Sequence, residues 1–237
     1  MRATRTDPFC RPFGEFYFPA AGHEEAAARL LYAAEAGRFG VMSGPAGVGK
    51  SLVLSLAADG LRRSRRTVVS ADLAGAADGD SVRRRVAAAA GTTPGCLEDA
   101  VRGAAAFGSV VLLLDHVGAT VDLSETLSLF RDGAVVAAGE WDAGGRADLV
   151  VPVPPLREDE TTGYLSAGLE DAARDDLTFD AAAAARIHEL SGGLPRSVDR
   201  IARLAVVAAD ADAEAVISPA TIDAVRGELP PAAAHAA

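Results

Sequence analysis

Lysine is nearly absent from this 237-residue chain: its 23 basic residues include one lysine, Lys50, and all the others are arginine. Positive charge is also outweighed, 33 acids giving a net charge of -10. That balance argues against a protein whose main work is coating nucleic acid, which needs a basic surface. Two local arginine groups stand out, Arg62, Arg63, Arg65 and Arg66 in "LRRSRR" and Arg83 to Arg85 in "VRRRV". The first ends a predicted helix, where cations suit the negative end of the helix dipole. Both read first as solvated helix surface. Cysteine is scarce too: Cys10 and Cys96 have no motif spacing, which leaves a reduced, cytoplasmic chain as the expectation. No apolar run approaches the ~20 residues of a membrane span, and "MRATRTDPFCRPFGEF" has no signal-peptide core.

What is present is an alternation. A helix is expected over residues 22–38, then a strand at "FGVMSG" (39–44), a helix over 50–64 and a strand at "RTVVSADL" (66–73). Two alanine-rich helices follow across 80–107. "SVVLLLDHV" (109–117) is a continuous apolar run of the kind found in a central parallel strand. After a helix near 121–132 come strands at 133–140 and 147–156. Strand alternating with helix points to a doubly wound parallel sheet. From residue 157 the strand signal stops, and four helices are read, punctuated by "SGG", Pro195 and "SP". The expected architecture is an α/β domain over 1–156, a small all-helical domain over 157–229 and a disordered tail over 230–237.

The single lysine lies in "GPAGVGKS". Gly44, Gly49, Lys50 and Ser51 satisfy G-x-x-x-x-G-K-[ST], between a predicted strand and a predicted helix. Glycines let consecutive backbone N–H groups turn toward phosphate oxygens, and the following helix aims its positive end at the same place. A compact ammonium reaches β/γ-phosphates in a way the arginine fork does not imitate. The whole stretch, Gly44, Pro45, Ala46, Gly47, Val48, Gly49, Lys50, Ser51 and Leu52, is read as a nucleoside triphosphate site, with the Ser51 hydroxyl on Mg²⁺. Asp115, closing "VVLLLD", is the carboxylate expected to hold that magnesium. The next position, where many such ATPases place a water-activating glutamate, is His116. Glu140, at the end of the following strand, is the carboxylate best placed to deputise, and slow hydrolysis is expected.

The order of these parts resembles the AAA+ superfamily of P-loop ATPases. More closely it resembles the ATPase module of general secretion pathway protein A, with relatives in pilus biogenesis and transposition. The resemblance rests on "DPF…PF", "GHEEAAARLLYAAEAGRFGVMSGPAGVGKS", "VVLLLD", "VVAAGE", "VPVPPLREDETTGYLSAGLE" and "ELSGGLPRSVDRIARLAVVAA", spanning about residues 7–228. It implies ATP and Mg²⁺ as ligands, Glu140 as a polar sensor and Arg196 as the sensor arginine of the helical lid. It also implies an arginine finger acting on a neighbouring subunit, Arg146, with Arg131 as the competitor. A homo-oligomer and a protein partner in a larger assembly follow from that. Tyr17 and Phe18 either border the adenine or pack the N-terminal arm. His116 departs from the family pattern, and no transmembrane or peptidoglycan-binding segment is expected after the lid.

Three readings result. The first is a slow ATPase of secretion or pilus-assembly type, coupling nucleotide state to lid movement and assembly. The second is a nucleotide-dependent switch that barely hydrolyses, favoured by His116. The third is a transposition- or replication-type ATPase on DNA, using the arginine groups against an acidic background.

Overall fold

The computed structural model describes residues 8–9, 16–139 and 146–227, and the chain divides into two compact units. Of the described residues, one unit holds 23–44, 50–139 and 146–153; the other combines 8–9 and 16–22 of the N-terminal arm, the short segment 45–49 and 154–227.

In the first unit, the apolar runs become the strands of one sheet. Helix α1 (Ala21–Glu35) leads to β1 (Phe39–Ser43) and α2 (Lys50–Arg63). There follow β2 (Thr67–Asp72), α3 (Gly79–Ala89), a 3₁₀ turn at Pro94–Cys96 and α4 (Leu97–Ala105). Then come β3 (Val110–Val117), α5 (Ser124–Leu129), β4 (Ala134–Gly139) and β5 (Leu149–Pro152). The five strands pair in parallel in the order β2-β3-β4-β1-β5. Because every strand runs the same way, the carboxyl ends of β1, β2 and β3 lie along one edge. In such open sheets that edge is where ligands bind.

Burial explains the strand composition. Val111, Leu112, Leu113 and Leu114 of β3 are at most 1% exposed, as expected for a strand covered on both faces. Each such side chain contributes roughly 1.5–3 kcal/mol of transfer free energy. Val82 and Val86 of α3, Leu97 of α4 and Phe130 close the same core. Helix α3 begins with a capping box: the Asp78 carboxylate accepts from Ser81 N at 2.7 Å, and the Ser81 hydroxyl oxygen accepts from Asp78 N at 3.1 Å. The expected helix near 121–132 is shorter, because the Asp122 carboxylate takes up Ser124 N at 2.8 Å and leaves Val121 and Leu123 buried as loop.

The second unit is built on helices α6 (Glu158–Asp171), α7 (Ala181–Ser191), α8 (Pro195–Asp212) and α9 (Pro219–Arg226). The expectation of an all-helical region needs correcting. Two short parallel strands, β6 (Thr178–Phe179) and β7 (Val216–Ile217), pair within it. They are two residues each, too short to show a period in the sequence. The core of this unit is Leu165, Ile187, Val198, Ile201 and Ala205, joined by Phe9 of the arm. Arg174, 3% exposed, clamps Asp176 and Asp210 through four side-chain hydrogen bonds. Among the described residues, no helix is long and apolar enough to cross a membrane.

Candidate functional site

Residues 44–51 run from the end of β1 into the first turn of α2, the placement the phosphate-loop reading requires. The backbone needs its glycines: Gly47 and Gly49 have φ of 81° and 107°. Within the helical unit the loop segment is held in place. Arg196, the second residue of α8, donates its backbone N–H to Gly47 O at 3.3 Å, and a Cβ on Gly47 would lie 3.0 Å from Arg196 Cβ. Val48 is fully buried. Within the sheet unit, Lys50 Nζ donates to Gly44 O at 2.7 Å, so the ammonium is held at the residue that follows β1. Ser51 follows in the first turn of α2 and is partly buried.

The other half of the sheet-unit site comes from the ends of β2 and β3. Asp72 and Asp115 are register partners. Asp115 accepts the His116 backbone N–H at 2.9 Å, and its side chain is 19% exposed. His116 stands in left-handed backbone, φ 53°, at a bulge in β3, and its Nδ1 lies 3.0 Å from Asp72 Oδ1. The Asp72 carboxyl is held below the usual aspartate range. The Ala74 N–H, donating at 2.8 Å, is the largest cause; partial burial opposes it and His116 assists it.

These groups fit a magnesium triphosphate. Glycine-lined amides and one ammonium suit the phosphates, and a hydroxyl with one carboxylate is a typical magnesium donor set when phosphates complete the shell. Among the described residues there is no cluster of three or more His, Cys, Asp or Glu able to hold a metal unaided.

The structure brings Gly44, Lys50, Ser51, Asp115 and His116 onto the sheet unit, and Pro45 to Gly49 with Arg196 onto the helical unit. Glu140 lies outside the described residues. Arg146 is exposed, its guanidinium donating to Ser124 Oγ at 3.2 Å, and Arg131 is 80% exposed beside Asp132. Phe18 packs edge-on against Tyr164 at 5.8 Å between ring centroids, the packing use of the arm, while Tyr17 is 38% exposed. The arginine groups are largely engaged at home: Arg62 pairs with Asp59, Arg66 with Ser109, Arg83 with Glu125 and Arg85 with the Asp72 carbonyl. Asp72 escaped the sequence reading. The available signal was that "RTVVSADL" and "SVVLLLDHV" each carry an aspartate near the carboxyl end of a predicted strand.

No protein-family model and no curated protein matches the sequence. Solved structures do resemble it. The Thermotoga maritima RuvB Holliday junction branch migration motor superposes with a TM-score of 0.59 at 14% identity, over 94% of this chain and 74% of that one. The Aeropyrum pernix ORC2 protein, in ADPNP–ADP complexes, gives 0.67 at 13% identity over 95% and 72%. Drosophila ORC bound to DNA gives 0.63 at 16% identity over 95% and 63%. The chain therefore shares the fold of these structures: a five-stranded parallel sheet flanked by helices, with a C-terminal helical region. At these identities the likeness defines the fold alone.

Proposed function

We propose that this chain is an ATP-binding AAA+ module and slow ATP hydrolase, of secretion or pilus-assembly type. It converts nucleotide state into movement of its helical unit and into assembly with copies of itself and a protein partner. The domain division proposed is a nucleotide-binding domain over 1–156, a lid over 157–229 and a tail over 230–237. The observation that carries the reading is the chain's one lysine, opening α2 at the end of a glycine-rich segment and hydrogen-bonded to the Gly44 carbonyl. The ADPNP–ADP content of the ORC2 structure supports adenine.

Mechanistically, backbone N–H groups of residues 46–51 and the Lys50 ammonium hold the β/γ-phosphates. Ser51 and Asp115 would hold Mg²⁺, which neutralises charge on the phosphates when bound. In hydrolysis the water oxygen bonds to the γ-phosphorus and the bond to the bridging oxygen breaks. ADP keeps the electron pair, and the proton lost by water passes to an acceptor beside the site. His116 and Glu140 are the candidates for orienting that water. Arg196 acts as the lid's sensor, and Arg146, with Arg131 as competitor, as the finger offered to a neighbouring subunit.

Calorimetry of the intact chain with ATP, paired with phosphate release, tests this. ATP heat that vanishes in Lys50→Ala, with magnesium-dependent release from the wild type, is the expected result. No heat, or heat unchanged in the variant, overturns it. The switch reading is favoured by His116 at the glutamate position. It predicts negligible wild-type release that rises strongly in His116→Glu. The DNA-associated reading is favoured by the branch migration motor and DNA-bound ORC likenesses. It predicts retention on duplex DNA at physiological salt, lost when Arg62, Arg63, Arg65 and Arg66 are replaced.

A further inference from the structure

An unbroken strand projects consecutive side chains to opposite faces, so Asp115 and His116 would point apart. Strand β3 is not unbroken. Against β4 its register runs from Leu114 opposite Ala137 to Val117 opposite Gly139, one residue more on β3 than on β4. Such a bulge lets neighbouring side chains converge. His116 Nδ1 accordingly lies 3.8 Å from Asp115 Oδ2 and 3.0 Å from Asp72 Oδ1. Two features accompany the left-handed backbone of His116. Its N–H is bonded to the Asp115 carboxylate, and β4 presents Gly139, where a Cβ would lie 2.1 Å from Val117 O. Strained backbone retained next to a candidate magnesium ligand is the kind of outlier that marks a working site.

The partner chemistry fixes the ring. An ionised carboxylate only accepts hydrogen bonds, so at this contact Nδ1 carries the hydrogen and a neutral imidazole keeps its lone pair on Nε2. Ala74 N donates to the same Asp72 oxygen at 2.8 Å. We propose that Asp72 is a positioning residue that holds His116 as its Nδ1–H tautomer, presenting Nε2 as the hydrogen-bond acceptor for the attacking water in place of a glutamate oxygen. This rests on the proposed hydrolysis. It adds what that proposal lacks, a reason for histidine to serve at this position and a residue on a different strand that makes it serve.

Imidazole ¹H–¹⁵N long-range spectra of the ligand-free chain at pH 8.5 read the tautomer directly, with His116→Gln assigning the signal. The expected result is an Nδ1–H tautomer in the wild type that moves toward Nε2–H in Asp72→Ala. Asp72→Asn keeps an amide oxygen where Ala74 N directs it and retains the Nδ1–H form. In steady-state phosphate release, Asp72→Ala lowers kcat about tenfold with KM for magnesium ATP within twofold, and Asp72→Asn restores part of the loss. Thermal melts of both variants check that the fold is kept. An Nε2–H signal in the wild type, or Asp72→Ala turnover equal to wild type, overturns the proposal. If the wild type binds ATP but releases no phosphate, the hydrolytic reading fails and the water-accepting role falls with it. The spectra then still decide whether Asp72 sets the tautomer.

Discussion

Two adjacent glycines after α7 offer a test with its own control. Gly192 and Gly193 both adopt left-handed backbone, φ 60° and 70°, so alanine at either position carries a left-handed penalty of about 1 kcal/mol. Their surroundings differ. Among the described residues, nothing lies within 4 Å of a Cβ added at Gly192, whereas at Gly193 that atom would sit 2.2 Å from Leu156 O and 3.1 Å from His188 Cε1. Leu156 cannot retreat cheaply, because its N–H donates to Gly193 O at 2.9 Å. Overpacking against backbone adds about 2 kcal/mol. Gly192→Ala should therefore cost about 1 kcal/mol and Gly193→Ala about 3 kcal/mol. At roughly 2–4 °C per kcal/mol for a chain this size, Tm should fall by about 2–4 °C and 6–12 °C respectively. Differential scanning calorimetry of both variants beside wild type measures this. Equal shifts, or a larger one at Gly192, would refute the crowding argument.

Three further outcomes are expected. Gly139→Ala forces a Cβ onto Val117 O at 2.1 Å and should destabilise by about 3 kcal/mol, and hydrogen exchange should locate the loss in β3 and β4. Arg174→Leu leaves Asp176 and Asp210 without their shared clamp; both carboxylates are partly exposed, so the loss should be near 3 kcal/mol in urea unfolding. The Asp78 carboxyl lies below the usual aspartate range, chiefly because Ser81 N donates to it. A lowered folded-state value means its contribution is present above about pH 4 and lost as pH falls through the folded value. Asp78→Asn, which caps without titrating, should lose less stability than wild type between pH 5 and pH 2, read by helical circular dichroism.

The parallel sheet was legible because doubly covered strands read as apolar runs, "VVLLL" being the plainest case. The position of the candidate phosphate loop between β1 and α2 was legible because the motif has particular residues at fixed spacing. Two kinds of feature were hidden. Strands β6 and β7 pair two residues each, which leaves no alternation to detect. The Asp72–His116 contact depends on which strands become neighbours, on their register and on an extra residue in β3, none of which is written locally at position 116. Gly139, closing "VVAAG", hints at the close approach only once its partner is known. Strand β5 ended early, at Pro152, since prolines at 152, 154 and 155 cannot continue a ladder.

A chain with a lone ε-amine has an unusual experimental handle. Amine-directed acylation finds one side chain to modify, and a lysine-specific endoprotease finds one bond to cut, Lys50–Ser51 at the head of α2. Since that ammonium is hydrogen-bonded to Gly44 O, either reaction reads how accessible the head of α2 is. Labelling stoichiometry or a single scission band thus reports on one defined place in the chain, with no engineered reporter required.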